Sequence, residues 1–151
     1  MKKVIFCHGK EGSPNGTKAT MIRDNFDGII PQMTNSYELI DFLNDLVVVE
    51  ELAGDAEVLV GSSRGGALVC QARSKVRKVL IAPAWKMFGA NPILTRHDVI
   101  LHCKADDRVP YEDSVFLANM FGCQLIECGI DHRMSCEDAI TEIKKQIKGN
   151  K

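Results

Sequence analysis

No excess of either charge runs through this chain. Its 19 Lys and Arg stand against 20 Asp and Glu over 151 residues, so no net field draws it to nucleic acid or to an acidic membrane surface. Small neutral or weakly charged partners fit that balance better. Long hydrophobic runs are also missing. The amino terminus opens on Met1, Lys2 and Lys3 and reaches His8 and Gly9 after only Val4, Ile5, Phe6 and Cys7, too short for a secretion-signal core. No later stretch approaches the length of a membrane span. These absences give the expectation of a soluble, cytoplasmic protein with no membrane or nucleic-acid partner. The six cysteines, Cys7, Cys70, Cys103, Cys123, Cys128 and Cys136, include no CxxC pair, and Cys and His together form no zinc-ligand spacing. Most lie in apolar runs such as VIFC, LVC and ILHC, and they read as buried thiols in a reducing compartment. Neither a metal nor a cofactor is expected.

What is present is an alternation of short β-branched runs with stretches of helical periodicity. There is no internal repeat, low-complexity tract or linker, and the length suits one domain spanning residues 1–151. Strands are expected at 4–7, 57–61, 78–82, 98–103 and 123–128, with a weaker one at 28–33, where Pro31 would remove a ladder donor and suits an edge. Helical spacing covers 17–26, 37–52, 64–73, 112–121 and 136–147. Ser36 and Ser135 stand where N-caps would, and Gly54 and Gly122 where helices would stop. The fold class that follows is α/β, a three-layer α/β/α sandwich on a mainly parallel sheet of about six strands. One connection, residues 83–97, has no clear element of its own.

The sharpest local signal is Gly61-Ser62-Ser63-Arg64-Gly65, followed by Gly66, placed directly after the strand VLV and opening a helix. G-x-S-x-G in that setting is what a nucleophile elbow requires: a tight turn lifts the Ser63 hydroxyl to the strand's carboxyl end, and the glycines make room for a strained backbone. The same residues could form an ordinary turn or a phosphate-binding loop, but no lysine follows as a P-loop needs. A serine hydroxyl is a poor nucleophile near neutral pH, so it needs a histidine base and a group that fixes the base's tautomer. His132 follows the last strand and precedes the last helix, on the sheet edge where carboxyl-end loops gather, whereas His97 precedes a strand and His102 lies within one. The acid should come from the loop after DVILHC, where Asp106 and Asp107 compete.

At this loop the chain resembles the α/β-hydrolases. HCKADDRVPYEDS is similar to their H-G-x-x-D-x-x-V-P segment, whose acid stands four residues before the proline, and that register implies Asp106. The opening VIFCHGKEGSP resembles the strand-His-Gly-x-x-x-Ser start of short bacterial esterases in the same family, in which the N–H after the His-Gly pair and the N–H after the nucleophile form the oxyanion hole. The resemblance therefore implies backbone N–H donors at Lys10 and Arg64, and a structural role for His8. It also implies a minimal fold without a cap domain, because only residues 83–97 are available where larger relatives insert one. Trp85, Met87 and Phe88 from that connection, with Met134 beside the base, are the expected acyl contacts of a shallow, open site.

The function implied is that of a serine hydrolase, a carboxylesterase cleaving a small-molecule ester through an acyl-serine intermediate, with thioesters and amides open to the same constellation. The rival is a hydrolase-fold protein that binds without catalysis, since fold alone never establishes activity.

Overall fold

The computed structural model describes residues 1–149. Six strands form one wholly parallel sheet: β1 (Lys3–Cys7), β2 (Asp27–Ile29), β3 (Val58–Ser62), β4 (Arg77–Ile81), β5 (Val99–His102) and β6 (Gln124–Glu127), in the order β2-β1-β3-β4-β5-β6. Five helices connect them: α1 (Thr17–Asn25), α2 (Leu39–Ala53), α3 (Arg64–Gln71), α4 (Tyr111–Phe121) and α5 (Glu137–Lys148).

The two-residue period of the strands divides the core. Val4, Phe6, Val58, Val60, Val79, Ile81, Val99 and Leu101 point to one face, where α1 and α5 bring Ile22, Ile143 and Ile147. Ile5, Cys7, Leu59, Leu80 and Ile100 point to the other, against Phe42 and Val49 of α2, Leu68 of α3 and Leu117 of α4. Central strands buried on both faces explain why their sequences read as continuous apolar runs. All six cysteines are free, and burial pushes the Cys7 and Cys70 thiols up to about 12, which leaves them unreactive.

The sheet grows outward in both directions from the β1–β3 pair, so the loops leaving these two strands diverge to opposite faces and open a crevice between them. That switch point is where open α/β sheets bind ligands.

Several expected boundaries shift for identifiable reasons. β2 ends at Ile29, two residues before Pro31, which has no N–H to extend the ladder. Ser36 does not cap α2: its hydroxyl accepts from the Glu38 N–H, forming a turn before the helix, and Glu38 is the N-cap. Ser135 likewise gives its hydroxyl to the Arg133 carbonyl, leaving Cys136 at the N-cap of α5. Gly54 follows α2 in right-handed geometry and needs no glycine there, whereas Gly122 closes α4 at φ +69°. The 83–97 connection carries no helical insertion, so the described residues contain no cap domain. No helix among them is long and apolar enough to cross a membrane.

Candidate active site

Ser63 sits between β3 and α3 at φ 55°, ψ −113°, a conformation costing a non-glycine residue on the order of 1–3 kcal/mol. The neighbouring glycines explain how the surroundings hold it there. A Cβ on Gly61 would lie 2.2 Å from the Gly65 carbonyl oxygen, one on Gly65 would lie 1.9 Å from the Cys7 carbonyl oxygen, and one on Gly66 would lie 2.9 Å from the Pro83 Cα. The elbow is thus wedged between β1 and the start of the 83–97 connection with no space for side chains. Gly65→Ala is accordingly expected to destabilise the protein by more than about 3 kcal/mol, because the obstruction is backbone and cannot rotate away. Chemical denaturation would measure this, and a change below 1 kcal/mol, on the scale of ordinary surface substitutions, would contradict the wedged geometry.

Ser63 Oγ lies 2.9 Å from His132 Nε2, and His132 Nδ1 lies 2.6 Å from Asp106 Oδ2. An ionised carboxylate only accepts, so Nδ1 carries the proton and Nε2 is left to accept from the serine hydroxyl. Asp106 is oriented by its own loop: Oδ1 accepts from the Arg108 and Val109 N–H groups, each at 2.8 Å. Burial opposes ionisation of Asp106, but those two N–H donors and the His132 ring outweigh it and hold the carboxyl below its ordinary range. Asp107 is exposed and takes no part in this chain of contacts.

The structure therefore brings Ser63, His132 and Asp106 together and leaves Asp107 outside. It adds a residue that sequence reasoning set aside. His102, wholly buried at the end of β5, points Nε2 at Asp106 Oδ2 (3.0 Å) and at the Val109 carbonyl (3.1 Å), while Nδ1 lies 2.6 Å from the Ser114 hydroxyl. Two pure acceptors on Nε2 fix the proton there, so Nδ1 accepts from Ser114. Burial lowers the pKa of this imidazole despite the adjacent carboxylate, and it stays neutral as a donor to Asp106. The signal was its place at the head of the HCKAD segment, four residues before the acid.

Lys10 lines the crevice, and Gly9 packs close enough that a Cβ there would lie 3.2 Å from Ser63 Cβ. Arg64 is the first residue of α3, so its N–H has no partner within the helix. Neither N–H has a backbone acceptor among the described residues, which leaves both free for an oxyanion. The Arg64 side chain turns the other way, into the core. It pairs with Asp45 of α2 at 2.6 Å and donates to the Ser36 carbonyl and the Thr34 hydroxyl. His8 accepts from the Met33 N–H through Nε2 and also lines the cavity beside Ser63.

A cavity of about 580 Å³ opens beside Ser63 and His132, and Met87 and Phe88 line it. Trp85 and Met134 do not. The Trp85 indole faces α4, donating to the Asp113 carbonyl at 3.0 Å and stacking on Phe116. Met134, at φ 53°, turns inward, is 0% exposed and packs with Gly129 and Ala139 beneath α5. Among the described residues, no group of three or more His, Cys, Asp or Glu could hold a metal.

No protein-family model matches the chain, and no curated protein matches it. Solved structures do. A putative hydrolase of the alpha/beta superfamily from Xanthomonas campestris pv. campestris is similar with a TM-score of 0.78 at 21% identity, over 97% of this chain and 95% of that one. The mouse alpha/beta hydrolase domain-containing protein 10 gives 0.74 at 19%, over 97% and 88%. Est1E from Butyrivibrio proteoclasticus with ferulic acid bound gives 0.76 at 14%, over 98% and 87%. The chain has the α/β-hydrolase fold.

Proposed function

We propose that the chain is a serine hydrolase that cleaves small carboxylic esters through an acyl-Ser63 intermediate. The observation that carries this reading is the unbroken contact from Asp106 through His132 to Ser63 Oγ at the mouth of a cavity of ligand size. In the first half-reaction Ser63 Oγ attacks the ester carbonyl carbon while His132 Nε2 takes its proton. Asp106 stabilises the resulting imidazolium. The carbonyl oxygen, now negative, meets the Lys10 and Arg64 N–H groups; the C–O bond then breaks, and the alcohol leaves with the proton from His132. In the second half-reaction His132 takes a proton from water, whose oxygen attacks the acyl carbon, and Ser63 leaves as the free hydroxyl.

A fluorophosphonate probe tests the reading directly. Folded protein is expected to gain one adduct, on Ser63, and heat-denatured protein none. Absence of the adduct in folded protein would sink the proposal and favour a binding protein.

Acyl preference follows from the cavity wall. Its apolar residues are few, chiefly Phe6, Ala19, Met87, Phe88 and Val109, and no cap extends them. Each methylene they enclose contributes about 0.8 kcal/mol, and one left in water contributes nothing. On aryl esters, kcat/KM is expected to peak between acetyl and butyryl and to fall beyond about six carbons, the rough reach of so few wall residues. Trp85→Ala is expected to leave that preference unchanged, because the indole faces α4. Efficient turnover of monomeric dodecanoyl esters would refute the open-site reading.

A further inference from the structure

The chain as a whole is almost neutral, but its cavity is not. Lys10, Lys18, Arg108 and Arg133 all line the space beside Ser63, against a single carboxylate, Glu11. Glu11 is already engaged by Arg108 in an ion pair at the rim. That leaves Lys10, Lys18 and Arg133 with no carboxylate within salt-bridge distance among the described residues. Lys10 holds its ammonium 4.5 Å above the Tyr37 ring, which also lines the cavity. Lys18 is half-buried. Its ammonium donates to the Arg133 carbonyl, and the other two of its three donors have no protein acceptor among the described residues. Burial lowers its pKa to about 8, with Asp131 opposing part of that shift from outside the cavity wall. The first turn of α1, Thr17 to Ala19, faces the same space with no acidic residue in it, adding partial positive charge to the field.

Cations gathered around a nucleophile have a chemical consequence. An anionic group entering the cavity would complete the donors of Lys18 and Arg133 with ion-paired hydrogen bonds, whereas a neutral substrate would displace their water and return weaker ones. We infer that this site takes anionic esters, substrates carrying a carboxylate or an equivalent anion a few bonds from the scissile carbonyl, held by Lys18, Arg133 and Lys10. The inference rests on the ester-hydrolase reading and names its substrate class.

Matched pairs of esters test it. One pair places the charge on the alcohol side, para-(carboxymethyl)phenyl butyrate against its uncharged carboxamide; the other places it on the acyl side, the para-nitrophenyl half-ester of adipic acid against its adipamate. At low ionic strength the anionic member of at least one pair is expected to lead in kcat/KM by about tenfold or more, the worth of one charge-assisted hydrogen bond. The lead should shrink toward parity in about 1 M salt, where screening acts within a few ångströms. Arg133→Gln should cut the ratio severalfold. Lys86→Gln should not, because Lys86 lies outside the cavity beside Asp113. Neutral members turned over as fast as the anionic ones in both pairs would overturn the inference.

Calorimetry on Ser63→Ala keeps the two readings apart, since binding of the anionic ester over its carboxamide needs no turnover. A protein that neither labels nor hydrolyses but still prefers the anion would lose the hydrolase reading and keep the anion site. Equal binding of both esters would remove the site.

Discussion

Ser63→Ala is expected to fold like the wild type and to lose on the order of 10⁵ to 10⁶ in kcat, the scale seen when the nucleophile of a comparable triad is removed. The acyl-enzyme can no longer form, while the cavity, the oxyanion donors and the His132–Asp106 contact stay in place. Alanine keeps the Cβ and with it the strained backbone at φ 55°, so denaturation midpoints should barely move. Ser63→Gly removes the strain and the nucleophile together, and it should gain about 1 kcal/mol of stability, as expected when an unfavourable φ is handed to the residue that tolerates it. Ser62 also lines the cavity, but no hydrogen bond links it to His132, and Ser62→Ala should retain substantial turnover. Steady-state kinetics on para-nitrophenyl acetate with all three variants decides the matter. Near-normal activity in Ser63→Ala with loss in Ser62→Ala would place the nucleophile one residue earlier.

The second large effect lies at the acid. Asp106→Asn should cost about 10⁴ in kcat, since an amide can present its NH2 to His132 Nδ1 and select the tautomer that blocks proton uptake from serine. Asparagine would also face the buried His102, whose Nε2 proton now rests on the carboxylate at 3.0 Å. Asp107→Asn, at an exposed position, should change kcat less than about threefold, as surface substitutions away from the machinery do. A larger loss at Asp107 than at Asp106 would reverse the assignment.

Chemistry carried by neighbours in sequence was the legible part of this protein. The elbow announces itself because strand, turn and helix are consecutive, and the Asp106 register because the acid and its proline share one loop. The wall residues were not legible in the same way. Nothing in PAWKMF distinguishes Trp85, which stacks on α4, from Phe88, which lines the cavity, because the difference is set by which element the chain passes. Met134 is expected as an acyl contact by its closeness to His132, and the turn at φ 53° accompanies its burial in the core. Net charge is silent about the cavity in a related way. A balance of 19 against 20 describes the whole chain, whereas the cations beside Ser63 come from the loops after β1, β5 and β6 and from the first turn of α1, which only the fold brings together. α2 is apolar around most of its circumference, with Leu39, Ile40, Leu43 and Val47 outside and Phe42 and Val49 inside, so periodicity could not choose its inner face. Asp45 lies on that inner face because its partner is Arg64, nineteen positions away.

That pairing ties reactivity to assembly. Arg64 follows Ser63 directly while its guanidinium reaches through to α2 and to the segment before it, and Gly65 rests on the β1 backbone. The elbow acquires its geometry only when β1, α2 and α3 have all docked, and a chain frayed at any of them has no competent serine. On the proposed function a partly unfolded form would be silent rather than slow, which makes the reactivity of one hydroxyl a gauge of whether β1, α2 and α3 are docked.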